Sequence, residues 1–410
     1  MTVLINAWRQ VRENGLASRH RRTVEEIKTF DRESHRHLSR VQSQLRENRF
    51  TFDSQVGVLL PRPGKKPRPI VIASVKNRVV HRALLDVLQT TDEICELLAT
   101  ATSFGGIAGR GRDSALSLAY QEIETGRARY YIRSDIKEFF TKIPRDKALA
   151  TIGSFVNDQH FMRLLRSATE TELANLAQLH GDAEYFPIHE IGVAQGCALS
   201  PLLGNLVLYD FDRLMNDRGI VCVRYIDDFL LLGPERHSVF SAFGNACKTL
   251  GSLGLTAYDP RDLGGKAVCG EIDTGFEFLG CDVRPGLIQP SRSSRNHIRE
   301  RIRDIVEGCR QRMNTVAGAR RLDVGGLAQA LCEVNNVARG WAHSHSFCNG
   351  QDVVATLEGF IDEQITEMIE MYKTRSQNAS REIRWRLLGV QALTDVEREP
   401  IVGRRSGVLA

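Results

Sequence analysis

Residues 223–233 read VRYIDDFLLLG and set Asp227 and Asp228 side by side between two apolar runs. Adjacent carboxylates repel each other and resist burial. A chain can bury both flanks only if it turns at the acids. Val221, Val223 and Tyr225 alternate with Cys222, Arg224 and Ile226, and Phe229, Leu230, Leu231 and Leu232 resume the apolar run. That pattern predicts two strands with the acids lifted out of the core at their turn. A third acid, Asp135, ends another strand-like run, YYIRSD. Three carboxylates on strand ends can converge on two Mg²⁺ ions about 3.5–4 Å apart, an arrangement that stabilises the attacking and leaving oxygens of phosphoryl transfer. Mg²⁺ keeps several waters, so a few carboxylates plus substrate phosphates suffice. On the pair alone, a solvated turn is the competing reading.

The rest of the chain sets broad limits. Its 410 residues are enough for two or three compact units with sizeable cores. The 42% hydrophobic and 26% charged content is that of a soluble globular protein. A net charge of +5 is mild, so any preference for nucleic acid must lie in how charge is distributed. No apolar run approaches the roughly 18 residues that cross a bilayer, and no membrane partner is expected. The N-terminus lacks the apolar core of a secretory signal. Nine cysteines without a C-x-x-C pair suggest reduced thiols and a cytoplasmic location.

Residues 1–50 read as helical. Val56–Leu60 and Pro69–Ile72 flank a turn with Pro63, Gly64 and Pro67 and predict a β-hairpin. A helix is expected over VKNRVVHRALLDVLQ. Another is expected over SPLLGNLVLYDFDRLM, with Ser200 as N-cap and Pro201 at the first helical position. GFEFLGCDV reads as one short strand, and from residue 291 the chain turns helical and strongly basic.

Taken in order, SDIKEFF, GVAQGCALSPLLGN, RYIDDFLLLG and FEFLG resemble the palm motifs of a reverse transcriptase, in the bacterial lineage related to group II intron enzymes. GKKPRPIVIASVKNRVVHRALL is similar to that family's fingers, NGLASRHRRTVEEIKTF to its N-terminal extension, and GLAQALCEVNNVARGWAHSHSF to its thumb. The resemblance covers roughly residues 5–370. It implies an α+β right-hand polymerase with fingers, an antiparallel-sheet palm and a helical thumb. The expected divisions are an N-terminal extension with fingers (1–115), a palm with inserted fingers segments (116–290), a thumb (291–375) and a C-terminal tail (376–410).

The resemblance also assigns roles. Asp135, Asp227 and Asp228 are the metal-binding aspartates, with Asp135 and Asp227 as direct ligands of two Mg²⁺ ions. Phe140, five residues after Asp135, is the steric gate against a ribose 2′-OH, whereas Phe139 reads as core. Gln195 and Gly196 lie near the incoming nucleotide or template. Lys65, Lys66 and Arg68 sit on the fingers hairpin, with Arg68 the best triphosphate ligand and a lysine assisting. Lys266 is the candidate for a proton donor. In 291–321 nine arginines face three acids, and Arg292, Arg295, Arg299, Arg303 and Arg310 are expected to track phosphates. Trp341 reads as a packing anchor.

There are departures. The fingers give IVIAS and Asn77–Arg78 where intron relatives have a proline and an Asp-Arg pair, and SFGGIAGRGRDSAL replaces a loop bearing phenylalanine and proline. The tail has no Cys/His cluster of an endonuclease. The resulting expectation is an RNA-directed DNA polymerase using dNTPs, an RNA template and a DNA product, of the kind found in bacterial antiviral defence with a dedicated noncoding RNA. The alternatives are an intron-type maturase, a non-catalytic RNA-binding scaffold and an RNA-dependent RNA polymerase. Phe140 disfavours the last. Oligomeric state stays open, a homo-oligomer included.

Overall fold

A computed structural model describes residues 1–18, 20–62, 65–188, 190–216, 219–262, 266–315 and 326–390. Pro63 and Gly64 of the fingers turn, Arg320 and Arg321 of the basic stretch, and the tail beyond 390 lie outside these residues. The chain divides between Gly275 and Phe276 into two compact units.

Three helices, Thr2–Leu16, Arg21–Arg32 and Ser34–Arg46, open the first unit. Leu4, Ala7, Trp8 and Val11 form the buried stripe of the first helix, at the i, i+3, i+4, i+7 spacing of an amphipathic helix. Strands β1 (Val56–Arg62) and β2 (Lys65–Ile72) pair antiparallel from Val56 opposite Ile72 to Arg62 opposite Lys65. Pro67 and Pro69 are tolerated in β2 because the sheet has only two strands, so every strand is an edge. The helix Val75–Leu88 follows, with Ser74 Oγ accepting from the Asn77 N–H as N-cap.

The central sheet runs β3 (Ser103–Phe104), β5 (Val221–Tyr225), β6 (Asp228–Gly233), β4 (Tyr130–Asp135), β7 (Val268–Glu271) in spatial order. It is antiparallel except for β3, which lies parallel to β5. The expected antiparallel palm therefore has one short parallel edge. Phe229, Leu230, Leu231 and Leu232 are all buried, as a strand covered on both faces requires. Phe229 packs between Phe211 and Phe243, at ring-centroid distances of 5.6 and 6.4 Å.

The second unit begins with an antiparallel meander of β8 (Phe276–Phe278), β9 (Cys281–Arg284) and β10 (Leu287–Pro290). Helices Arg292–Thr315, Leu327–Ser344, Gln351–Ser376 and Arg381–Leu388 follow. Ile298, Ile302, Ile305, Val306, Cys309 and Met313 make one helical stripe in its core. Trp341 packs against that core and donates Nε1–H to Ser294 Oγ at 3.1 Å, an anchor as expected.

Three expectations are corrected. GFEFLGCDV is two strands, because Leu279 and Gly280 adopt positive φ (48° and 77°) and turn the chain. SPLLGNLVLYDFDRLM is two helices, Ser200–Val207 and Tyr209–Met215, interrupted at Leu208. Ser200 is not the N-cap. It lies inside the helix after Leu199, and its hydroxyl donates to Ala194 O at 2.7 Å.

Candidate active site

The strand register brings the acids together. Asp135 ends β4 directly opposite Asp228, which starts β6 and is itself paired with Tyr225 of β5. Directly paired residues project from the same face of a sheet. Ile226 and Asp227 are the two residues of the connecting turn. The backbone around them is anchored: Ile226 N–H donates to Phe104 O at 3.2 Å, and Ile136 N–H donates to Asp227 O at 3.1 Å.

Burial, reinforced by the Asp135 and Asp228 charges, pushes the Asp227 carboxyl up to about 7. Burial, with the Asp135 charge added and Arg133 and Lys266 opposing, pushes Asp228 up to about 6. Lys266 Nζ donates to Asp135 Oδ2 at 3.0 Å and lies 4.6 Å from the Tyr258 ring centroid. Asp135 Oδ1 is buried without a hydrogen-bond partner. Among the described residues, no three His, Cys, Asp or Glu side chains are gathered closely enough to hold an ion by themselves. The donor set nevertheless suits Mg²⁺, which takes one or two carboxylates and completes its shell with water and substrate phosphates. The orphaned Asp135 oxygen and the two reluctant carboxyls are what a cation would relieve.

Two cations of β2, Lys66 and Arg68, bond to side chains of other segments. Lys66 Nζ donates to Glu138 Oε1 at 2.8 Å, and Glu138 follows Asp135 on the segment leaving β4. The bond to Glu138 raises the Lys66 ammonium above its ordinary value and, with Lys142, lowers the Glu138 carboxyl. Arg68 Nε donates to Gln195 Oε1 at 3.0 Å, while Val71 N–H donates to Gln195 O at 2.9 Å. Gly196 has φ +108°, and a Cβ there would sit 3.2 Å from Val71 O. Glycine is needed at that position because β2 runs beside it in a backbone conformation closed to other residues. Of Lys65 only the backbone is described.

Phe139 is core, 2% exposed and against Gly204. Phe140 is half-buried at the edge of the same cluster, its ring 5.4 Å from Phe139, and its carbonyl accepts from Val193 N–H at 2.7 Å. Sequence reasoning missed Arg224, which the alternation in β5 gave no reason to single out and which is 0% exposed.

In the second unit the five expected arginines divide. Arg310 pairs with Glu307 at 2.5 Å and with Glu367, and Arg295 pairs with Asp282 at 3.6 Å. Arg299 and Arg303 hold their guanidinium carbons 5.9 and 5.2 Å from the Phe360 ring centroid, and Arg292 is exposed.

A mixed helix-and-sheet domain with carboxylates on a hairpin and on its neighbouring strand has the character of a right-hand polymerase. Residues 60–256 match the family described as reverse transcriptase (RNA-dependent DNA polymerase). The chain is 29% identical over 180 residues to an uncharacterized 91 kDa protein in the cob intron of Schizosaccharomyces pombe, covering 44% of this chain. It is 24% identical over 261 residues to protein YkfC of Escherichia coli, covering 54% of this chain. With the group II intron-encoded protein LtrA of Lactococcus lactis it shares 26% identity over 151 residues, 37% of this chain. These matches span 21%, 65% and 23% of the three relatives' own lengths.

Proposed function

We propose that the chain is an RNA-directed DNA polymerase that extends a 3′-end with dNTPs on an RNA template. One observation carries the reading: Asp135 stands opposite Asp228, with Asp227 on the turn between β5 and β6. Asp135 and Asp227 would hold two Mg²⁺ ions, with Asp228 supporting the site or the primer end. Bound, the ions would supply charge for the attacking and leaving oxygens. Arg68, steadied by Gln195, and Lys66, steadied by Glu138, would receive the triphosphate. Phe140 would close the space beside the sugar 2′-position. Lys266, hydrogen-bonded to Asp135, would be the candidate proton donor.

The helical second unit would act as the thumb, with Arg299, Arg303 and Arg292 toward the nucleic-acid backbone. The similarity to a group II intron-encoded protein favours an intron-related setting. A role in antiviral defence with a dedicated noncoding RNA is supported by the sequence resemblance alone. Sequencing the RNA that copurifies with the protein separates the two: intron RNA indicates the first, one small unrelated RNA the second. The catalytic reading is tested by primer extension with Mg²⁺ and dNTPs. Changing Asp227→Ala together with Asp228→Ala should abolish synthesis in a folded protein. Near-normal Mg²⁺-dependent synthesis by that folded variant would overturn the assignment of these aspartates as the catalytic site.

A further inference from the structure

Arg224 lies in mid-strand between Val223 and Tyr225, yet it is the largest of the fully buried side chains. Every N–H of its guanidinium is used. Nε donates to Asp212 Oδ1 and one terminal nitrogen to Asp212 Oδ2, each at 2.6 Å. That nitrogen also donates to Ser103 Oγ. The other terminal nitrogen donates to Asn205 Oδ1 at 3.0 Å and to the Ile226 carbonyl at 2.7 Å. Asp212 is equally buried. Buried ion pairs are weak evidence for stability, since apolar residues of similar volume often fold as well or better. This pair calls for a different account.

The account lies in the turn. Ile226 has φ +59°, and a β-branched residue at positive φ is an outlier. Asp227 is not among the positive-φ residues. A two-residue hairpin with positive φ only at its first position has the type II′ pattern, which selects glycine there. Rotating the central peptide, Ile226–Asp227, would convert that pattern to type I′ and give Asp227 positive φ, a conformation that aspartate tolerates. Arg224 holds the oxygen of that very peptide. The same network covers the isoleucine side chain: Asn205 Nδ2 donates to Gly105 O at 3.0 Å, and a Cβ on Gly105 would lie 2.9 Å from Ile226 Cγ1. Gly105, at φ +78°, leaves the room Ile226 needs.

We infer that Arg224 is a positioning residue: with Asp212 and Asn205 it fixes the Ile226–Asp227 peptide in the orientation that keeps the Asp227 carboxylate beside Asp135. The inference rests on the polymerase reading, in which Asp227 is a metal ligand.

The test uses Arg224→Met combined with Asp212→Leu, which replaces the pair by apolar side chains. Three quantities are measured on the full chain: melting temperature, Mn²⁺ affinity by electron paramagnetic resonance without substrate, and kcat and KM for dNTP. The expected result is a folded protein with a modestly lower melting temperature, because Asn205 Oδ1, Ser103 Oγ and the Ile226 carbonyl lose a donor, with Mn²⁺ affinity lower by about tenfold or more and kcat lower by about 10²-fold at nearly constant KM. Parent-like Mn²⁺ affinity and kcat in this folded variant overturn the inference, as does a lower melting temperature with Mn²⁺ affinity intact. A second pair decides if the first does not fold. In an Arg224→Lys background, adding Ile226→Gly relaxes the turn and should recover part of the lost Mn²⁺ affinity and kcat; no recovery overturns the inference. Asp227→Asn is the control. If it retains Mn²⁺ binding and synthesis, Asp227 is not a metal ligand and the site assignment under the polymerase reading fails. If it loses both while the Arg224 variants stay parent-like, only the clamp fails.

Discussion

Asp135 and Asp228 occupy one registered pair across β4 and β6, with Asp227 one residue before Asp228. In a sheet, like charges directly opposite are destabilising. The first unit thus places an unfavourable carboxylate cluster where strand ends meet the turn. A divalent cation bound there would convert that repulsion into binding energy.

This arrangement predicts how stability depends on pH. In the fold Asp227 titrates near 7 and Asp228 near 6, both raised by burial first and by Asp135 next. Unfolded carboxyls titrate near 3.9. Between those values the folded chain retains protons that the unfolded chain has released, so stability falls as pH rises from about 4 to about 7. Asp227→Asn removes its share of the penalty. Without metal, that variant should melt above the parent at about pH 8, with the gap closing by about pH 4. Added Mg²⁺ should narrow the gap by stabilising the parent. Equal melting temperatures at the higher pH would contradict the buried-repulsion account.

Much of this site was legible in sequence, and the reason is local. An Asp pair interrupting strand alternation specifies a turn, and YYIRSD specifies a strand ending in an acid. What sequence could not supply was distant pairing. Arg224 is buried because Asp212, Asn205 and Ser103 meet it from three other segments. Lys266 reaches Asp135 across 131 positions. Leu208 breaks a continuous apolar helical pattern, and no glycine or proline marks the place.

The cationic side chains of β2 should act as supported pairs. Lys66 and Glu138 are both exposed, so Lys66→Ala should leave the melting temperature nearly unchanged while raising KM for dNTP. Arg68→Ala should raise KM by about tenfold or more, the effect of losing a charged hydrogen-bond donor to phosphate. Gln195→Ala should weaken binding through Arg68. The double substitution should therefore cost less than the sum of the two, as residues sharing one interaction do. Additive losses in steady-state kinetics would show that Gln195 acts separately.

Adjacent phenylalanines give a contrast in sugar choice. Phe139→Ala opens a cavity in the core and should cost about 3–5 kcal/mol of stability, with the preference for dNTP over rNTP intact. Phe140→Ala removes a half-buried ring and should relax that preference by about 10²-fold, with a smaller loss of stability. Competition assays with both nucleotides, alongside melting curves, check the pair. A Phe140→Ala protein with the parent's preference would assign that ring to packing.

The basic helix Arg292–Thr315 yields the last prediction, because its arginines are not equivalent. Arg310 is committed to Glu307 and Glu367, a partner 57 positions along the chain that residue counting could not reveal. Arg299 and Arg303 stack over Phe360 and, among the described residues, have no ion pair of this kind. Stacking on a ring leaves the guanidinium edge free to donate, and Arg is suited to binding phosphate in this way. Each phosphate that the protein neutralises releases a counterion and steepens the salt dependence of binding. Arg299→Glu with Arg303→Glu should therefore weaken RNA binding and lower its salt slope by about one to two units. Arg310→Ala should leave RNA affinity and slope unchanged and lower the melting temperature by releasing Glu367. Measured by filter binding across a salt series, equal effects of the two changes would mean that phosphate contacts are spread over the whole helix. No effect from the double reversal would make the stacked pair a solvated surface, and the nucleic acid would then have to follow another part of the chain.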